Sequence, residues 1–69
     1  MAGQERLSGR ELDVLARMAA GATDPEIADE LGLSVHTVKT HARHIYRKLG
    51  VKSRHQAAER WQAHKSFFE

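Results

Sequence analysis

Apolar and polar positions follow a helical period most regularly between Ser34 and Leu49. Five apolar residues recur there at i, i+3, i+7, i+10 and i+14, a spacing that fits one side of a helix and not a strand: Val35, Val38, Ala42, Ile45 and Leu49. The opposite side carries hydrogen-bond donors and positive charge: His36, Lys39, Thr40, Arg43 and Arg47. The pattern predicts a helix over residues 35–49 that packs on a core and presents its cationic side to a polyanion.

A helix-start signal stands at residues 7–12, Leu-Ser-Gly-Arg-Glu-Leu. Ser8 can cap the first turn, and Glu11 can reach back to the Ser8 amide to complete a capping box. Gly21 supplies a stop signal. We therefore predict a first helix over about 9–20, with an apolar face formed by Leu12, Leu15, Ala16 and Ala19.

A second start signal follows at residues 23–26, Thr-Asp-Pro-Glu. Thr23 or Asp24 can cap, and Pro25 suits the first turn because its missing amide hydrogen has no partner there. Gly32 ends this short helix, which is predicted over 24–31. Its apolar face consists of Ile27, Ala28 and Leu31.

The last helix is predicted over about 54–65. Gly50 can close the preceding helix, and Ser53 with Gln56 has the spacing of another capping box. Its apolar and aromatic positions are Ala57, Ala58 and Trp61, followed by His64. Residues 1–6 are expected to form a flexible arm and residues 66–69 a short tail. Four helices with short connections predict an all-α fold in a single domain over residues 7–65.

Helices two and three have the spacing of a helix-turn-helix. Ala28, Gly32 and Val38 stand at i, i+4 and i+10, where a small residue, a turn residue and an apolar wedge are needed. By themselves these three matches also fit a helical corner in an unrelated domain. The basic outer side of the third helix favours the helix-turn-helix interpretation.

The composition narrows the class of protein. The chain has 69 residues and no cysteine, so neither disulfides nor thiolate zinc sites can support its small core. Its longest apolar runs fall well short of the roughly 20 residues that a membrane span needs. The first residues lack the apolar region of a signal peptide, and a cytoplasmic location is the expectation.

The charge is distributed unevenly along the chain. The formal net charge is only +2, but no acidic residue lies between Leu31 and Ala58. That window holds six cationic residues: Lys39, Arg43, Arg47, Lys48, Lys52 and Arg54. An ordinary solvated helix face carries both signs of charge. A one-sided field of this kind attracts phosphate backbones.

These residues together resemble a known family. The matching positions are Leu7-Ser8-x-Arg10-Glu11, Val14-Leu15, Gly21, Glu26-Ile27-Ala28, Leu31, Ser34-x-x-Thr37-Val38-Lys39-x-His41, Ile45, Lys48-Leu49, Arg54 and Ala57. Over residues 7–61 the chain resembles the DNA-binding domain of the LuxR-type (GerE- or NarL-type) bacterial transcription regulators. The resemblance implies a four-helix helix-turn-helix bundle, a recognition helix over 35–49 in the major groove, and dimerisation through the fourth helix.

The resemblance also implies roles for individual residues. Side chains expected to contact base edges are Lys39, Thr40 and Arg43. Side chains expected to contact phosphate are His36, Thr37, Arg47, Lys48, Ser53 and Arg54. The face formed by Ala57, Ala58 and Trp61 is the expected dimer interface, with contact to the core of the domain as the alternative. Ser34 and Thr37 fit capping and turn roles equally well. His36 departs from the residue usual in the family at that position, so a relative's operator cannot be transferred.

The histidines and the other polar residues offer little for catalysis. His41 and His44 are spaced i, i+3, but together with His36 and His55 they alternate around the helices, so we predict no metal site and no cofactor. No glycine-rich phosphate loop, carboxylate pair or nucleophile–base set is visible, so an enzyme is not expected.

Two other functions fit parts of the pattern. The chain could be an interaction module of the same fold that pairs with a full-length regulator and titrates it. A sigma-factor-like segment is also conceivable, although residues 37–41 argue against it, and RNA polymerase is a candidate partner of any regulator. Family members usually carry an N-terminal receiver or sensing domain, so this chain is either an effector domain or a single-domain regulator.

Overall fold

The computed structural model describes residues 6–63, and their regular structure consists of four α-helices. These are α1 (Gly9–Ala19), α2 (Asp24–Leu31), α3 (Val35–Leu49) and α4 (Arg54–Ala63). The predicted all-α class, the number of helices and the bounds of α2 and α3 are confirmed, and α1 ends one residue earlier than predicted. Residues 1–5 of the predicted arm, residues 64–65 of the predicted last helix and the tail 66–69 lie outside the described residues.

The first three helices begin at the predicted caps. Ser8 and Glu11 form a complete capping box at α1, and Thr23 and Glu26 form one at α2. Ser34 caps α3 by accepting a hydrogen bond from the Thr37 amide, but α3 has no acidic residue in its first turn. α3 therefore lacks the carboxylate that completes the box in α1 and α2.

The start of α4 differs slightly from the prediction. Ser53 Oγ accepts a hydrogen bond from the Gln56 amide at 3.1 Å, as a cap should. The Gln56 side chain, however, accepts from the Lys52 amide at 2.7 Å and not from the Ser53 amide. The reciprocal half of the predicted box is thus displaced by one residue toward the linker.

The ends of α1, α2 and α3 share one hydrogen-bond pattern. In each, the amide of a residue two or three positions past the helix donates back to a carbonyl five residues earlier: Ala22 to Arg17, Leu33 to Ala28, and Val51 to Tyr46. The residue before each of these amides is a glycine with positive φ. The amide-bearing residues Ala22, Leu33 and Val51 all pack against the core. Helix termination therefore also adds apolar residues to the core.

The core lies where α1 meets the other three helices. Its buried residues come from every helix: Val14, Leu15, Met18, Ile27, Ala28, Val38, Ala42, Ile45 and Ala57. On α1 the buried apolar positions are Val14, Leu15 and Met18, whereas Leu12, Ala16 and Ala19 are only half-buried. The buried face of α1 is therefore rotated by about one residue, roughly 100°, from the predicted face. The rotation arises because α1 has to contact three neighbouring helices and not one.

The predicted apolar stripe of α3 holds except at its first residue. Val38, Ala42 and Ile45 are buried and Leu49 is half-buried, but Val35 is 37% exposed. Val35 occupies the first position of α3, beyond the part of the helix that lies over the core. The buried contact of α3 with the core thus begins one turn into the helix, at Val38.

Candidate nucleic-acid interface

The pair formed by α2 and α3 has helix-turn-helix geometry. Three residues, Gly32 to Ser34, separate the two helices. Gly32 has φ +69°, a left-handed conformation that side-chain-bearing residues adopt at a cost. Ala28 and Val38 are both buried at the crossing of the two helices, as the spacing predicts. A short turn and two buried contacts fix the orientation of α3 relative to α2.

The outer side of α3 is cationic and open. Lys39 and Arg43 are exposed and stand one turn apart on the same side of the helix. Neither side chain makes a hydrogen bond or an ion pair with any residue in the part of the chain that the structure describes. Both predicted base-contacting cations therefore keep their full donor capacity for a ligand.

The hydroxyl residues in and next to the first half of α3 have hydrogen-bond partners nearby in the chain. Thr40 Oγ1 donates to the His36 carbonyl oxygen at 3.1 Å, a bond back to the preceding turn that occupies the hydroxyl hydrogen. Ser34 Oγ donates to Thr37 Oγ1 at 2.9 Å and accepts from the Thr37 amide at 3.0 Å. Ser34 and Thr37 therefore perform the capping role that the sequence suggested. A phosphate contact by Thr37 stays a prediction, as does one by the exposed His36.

Lys48, a predicted phosphate contact, has partners inside the domain. Its Nζ donates to Glu11 Oε1 at 2.8 Å and to the Arg6 carbonyl oxygen at 3.4 Å, and its side chain is only 17% exposed. The Glu11 side chain is 6% exposed. This environment favours a role for Lys48 within the fold over one at the DNA backbone.

The Glu11 carboxylate is the buried charge of this cluster. Its Oε1 also accepts from the Ser8 amide at 2.9 Å, and Oε2 lies 3.8 Å from His44 Nδ1. Burial raises the pKa of Glu11, but hydrogen bonds from Lys48 and Ser8 and the charge of Lys48 lower it by more. The pKa therefore lies below its ordinary value of 4.5, and the carboxylate is charged at neutral pH.

Arg54, another predicted phosphate contact, also has internal partners. One guanidinium nitrogen donates to Asp24 Oδ1 at 2.7 Å, and another donates to the Ala22 carbonyl oxygen. The Arg54 and Asp24 side chains are 37% and 22% exposed.

Burial raises the pKa of the nearby Tyr46 above its ordinary value. The charge of Arg54 opposes this shift, and the charge of Asp24 adds to it.

The remaining predicted phosphate contacts, Arg47 and Ser53, differ in exposure. Arg47 is exposed in the last turn of α3, two turns beyond Lys39. Ser53 is half-buried and caps α4, so its hydroxyl has a structural partner. His41 is half-buried, and its Nδ1 is buried without a hydrogen-bond partner among residues 6–63. That environment fits a packing role for His41.

The predicted dimer face of α4 needs a correction. Ala57 is fully buried in the core of its own domain, so it has no surface to offer a second molecule. The cause is the close approach of α4 to α1, which a small side chain permits. Ala58 and Trp61 are half-buried, and Trp61 also packs against the core. The alternative role, contact between α4 and the core, therefore applies to Ala57.

Two functional partners were not identified from the sequence. Glu11 and Asp24 were interpreted only as helix-start residues, whereas they also bind Lys48 and Arg54. A signal for Glu11 existed, since it stands one turn before Leu15 and two turns before Met18, both buried. A carboxylate in line with a buried stripe requires a cationic partner. No comparable signal marked Asp24.

The fold and the outer side of α3 define a helix-turn-helix domain whose second helix has an exposed cationic side. The family model for bacterial regulatory proteins of the luxR family, also called GerE, matches residues 5–60. The chain therefore belongs to the luxR family of bacterial regulatory proteins. The resemblance inferred from the sequence is confirmed.

Individual relatives agree with this assignment. The chain is 50% identical over 52 residues to the HTH-type transcriptional activator RamA of Corynebacterium glutamicum, covering 75% of this chain and 18% of that protein. It is 47% identical over 58 residues to the probable HTH-type transcriptional regulator GfsR of Streptomyces halstedii, covering 84% and 24%. It is 48% identical over 54 residues to the transcriptional regulatory protein LiaR of Bacillus subtilis, covering 78% and 26%. The chain thus spans about a quarter or less of the length of these relatives.

Two further observations concern other classes of site. Among residues 6–63, no three histidine or acidic side chains come together in a cluster able to hold a metal ion. None of the helices in the described part of the chain combines the length and apolar character that a membrane span requires.

Proposed function

We propose that this domain binds double-stranded DNA sequence-specifically and thereby regulates transcription in the bacterial cytoplasm. α3 is the recognition helix and enters the major groove. Lys39 and Arg43 donate to guanine O6 and N7, and Thr40 contacts a neighbouring base through its methyl group or as an acceptor. The observation that most directly supports this proposal is that Lys39 and Arg43 are exposed. Neither side chain has a hydrogen-bond or ion-pair partner among residues 6–63.

The distribution of charge supports duplex DNA over a protein partner. α3 contains no acidic residue. α2 contains four, none of them buried: Asp24, Glu26, Asp29 and Glu30. Arg17 on α1 pairs with Glu30 on α2 at 2.8 Å. α3 therefore brings no acidic side chain of its own to the proposed ligand, which suits a polyanion.

Selection from a pool of random duplexes tests this function. The purified chain should enrich a common half-site, and its affinity for the enriched duplex should fall steeply with salt. Lys39→Ala and Arg43→Ala should each weaken binding to the enriched duplex by about 1–3 kcal/mol and binding to random duplex by less. Retained binding in both variants would show that another surface reads the DNA.

The control for these variants is Arg10→Ala. Arg10 is exposed at the start of α1 and pairs with Asp13 at 3.8 Å on the same helix. Its removal changes the net charge as much as either test variant, but not on α3. It should leave the preference for the enriched duplex unchanged.

We also propose that two copies of the domain bind adjacent half-sites as a weak dimer. Ala58 and Trp61 on α4 retain some exposed area and are the proposed contacts, with Ala57 behind them in the core. Pairing through a small surface should be seen mainly on DNA, where mass action favours the dimer. RNA polymerase is the further partner expected of a regulator at a promoter.

A module that titrates a full-length regulator through α4 is the competing function. A gel shift of the purified chain with random duplex at low salt separates the two functions, because such a module does not need to bind and retard random duplex. The one-sided charge of α3 leads us to expect retardation.

A further inference from the structure

Glu11 joins the start of α1 to the second half of α3, mainly through Oε1, while Oε2 lies 3.8 Å from His44 Nδ1. Oε1 accepts from the Ser8 amide at 2.9 Å and from Lys48 Nζ at 2.8 Å. Lys48 also donates to the Arg6 carbonyl oxygen at 3.4 Å. Lys48 of α3 is thus bonded both to Glu11, in the first turn of α1, and to Arg6, in the segment before α1.

This ion pair supplies a restraint that the apolar core does not. Val38, Ala42 and Ile45 hold α3 against the core, but hydrophobic contact is non-directional and tolerates small rotations of a helix about its axis. A charge-assisted hydrogen bond between nearly buried partners has preferred distances and angles. The pair therefore fixes the rotation of α3.

The rotation of α3 matters for the proposed base contacts. Lys39 and Arg43 lie nine and five residues before Lys48, which is about 13 Å and 8 Å along the helix axis. They share one rigid helix with Lys48. A rotation released at Lys48 therefore moves both reading side chains together, whereas contacts to the uniform phosphate backbone tolerate it better.

We propose that Glu11 and Lys48 are positioning residues for base recognition: their ion pair sets the orientation of α3, and Lys48 does not contact phosphate. This inference rests on the proposed DNA binding. In this role Lys48 affects base specificity through the orientation of α3 and makes no direct contact with DNA. A positioning role and a phosphate contact predict different salt dependence of binding.

The test compares Lys48→Met, Lys48→Arg and Glu11→Gln with Lys39→Met. The probes are the duplex enriched by this protein and a random duplex, measured where circular dichroism shows each variant folded. Lys48→Met should lose about fivefold or more in affinity for the enriched duplex and little for the random one. Its log–log salt slope should equal that of the unmodified chain, whereas Lys39→Met should reduce the slope by about one.

The other variants keep the test decisive. Glu11→Gln retains an acceptor for the Ser8 amide but removes the charge opposite Lys48, so it should reproduce the loss of specificity. It carries the same test if Lys48→Met does not fold. Lys48→Arg can still reach Glu11 and should restore most of the preference. Lys52→Met, an exposed lysine outside the pair, controls for the loss of one charge.

Three outcomes would overturn the inference. Equal losses on both duplexes, as a merely less stable domain would give, exclude a positioning role. A salt slope reduced by about one in Lys48→Met would return Lys48 to the phosphate contacts. Unchanged preference in both Lys48→Met and Glu11→Gln would show that the pair does not orient α3. If no duplex is bound by the unmodified chain, it is the proposed function that fails.

Discussion

Arg54, the first residue of α4, donates a hydrogen bond to Asp24, the first residue of α2, across 2.7 Å. The same guanidinium donates to the carbonyl of Ala22, in the turn that connects α1 to α2. One side chain therefore connects the starts of two helices and the turn before one of them. This arrangement holds α2, and with it the turn into α3, against the last helix.

Replacing this guanidinium should destabilise the domain. We expect Arg54→Met to lower the free energy of unfolding by about 1–2 kcal/mol, since it leaves a half-buried carboxylate and a carbonyl without their donor. Urea denaturation followed by circular dichroism measures the change. Arg10→Met is the matched control, because its exposed pair with Asp13 should contribute less than about 0.5 kcal/mol. Equal effects in both variants would contradict a structural role for Arg54.

Tyr46 reports on the same cluster. It is the single tyrosine of the chain, so its titration can be followed by absorbance without assignment. Burial raises its pKa and the charge of Arg54 lowers it. Arg54→Met should therefore raise the pKa of Tyr46 further, and Asp24→Asn should lower it. If both substitutions shifted the pKa of Tyr46 in the same direction, the opposite effects assigned to the charges of Arg54 and Asp24 would be contradicted.

The stability of the domain should fall in acid because of Glu11. Its pKa in the folded domain lies below its ordinary value of 4.5, so the unfolded chain binds the proton at the higher pH. The contribution of Glu11 is therefore complete above pH 4.5 and is lost as the pH falls through the folded value. Thermal melts between neutral and acidic pH should show this loss in the unmodified chain.

Glu11→Gln provides the comparison for the acid prediction. At neutral pH Glu11→Gln should be less stable than the unmodified chain, because the charge of Lys48 is then uncompensated. The difference between the two melting temperatures should narrow below pH 4.5. A constant difference over the whole range would mean that another carboxylate dominates the acid response.

The burial of Ala57 gives a test of which surface α4 uses. Ala57→Val adds volume between α4 and α1 and should destabilise the domain by about 1–3 kcal/mol at any protein concentration. Ala63→Val, on the exposed end of the same helix, controls for the lower helix propensity of valine. Unchanged stability of Ala57→Val together with a lost dimer would restore the interface assignment.

The incomplete cap of α3 gives a test of Thr37. Thr37 occupies the position at which α1 and α2 carry the glutamate of their boxes. Thr37→Glu should therefore stabilise the domain by about 0.3–1 kcal/mol through the cap and the helix dipole. It should weaken duplex binding, because it adds a negative charge to the surface that faces phosphate.

A neutral variant separates the two effects at Thr37. Thr37→Gln can close the box without the charge, so it should gain part of the stability and lose less binding. Fluorescence anisotropy with the enriched duplex and thermal melts measure both quantities. Thr37→Glu that binds as tightly as the unmodified chain would remove Thr37 from the predicted phosphate contacts.

Local patterns predicted the helices well because caps and stops act within a few residues. Ser8, Thr23 and Ser34 each cap the helix predicted for them, and the open cations Lys39 and Arg43 stand on the side that the periodicity predicted. In these cases the deciding interaction lies within one or two turns of the residue itself.

Long-range pairing was not predictable in the same way. Lys48 and Arg54 belong to the same basic window as Lys39, but their partners lie 37 and 30 residues earlier in the chain. A sequence shows that a cation is present and does not show which carboxylate the fold brings to it. The rotation of the buried face of α1 has the same origin, because it depends on where three other helices pack.

The apolar residue after each helix-ending glycine has a consequence for how the domain melts. Ala22, Leu33 and Val51 are bonded to the last turns of α1, α2 and α3 and packed on the core at the same time. A helix end cannot fray without withdrawing one of these residues from its neighbours. Native-state hydrogen exchange at the C-terminal ends of these three helices should therefore occur only through global unfolding. α3 should then stay helical along its whole length until the domain unfolds.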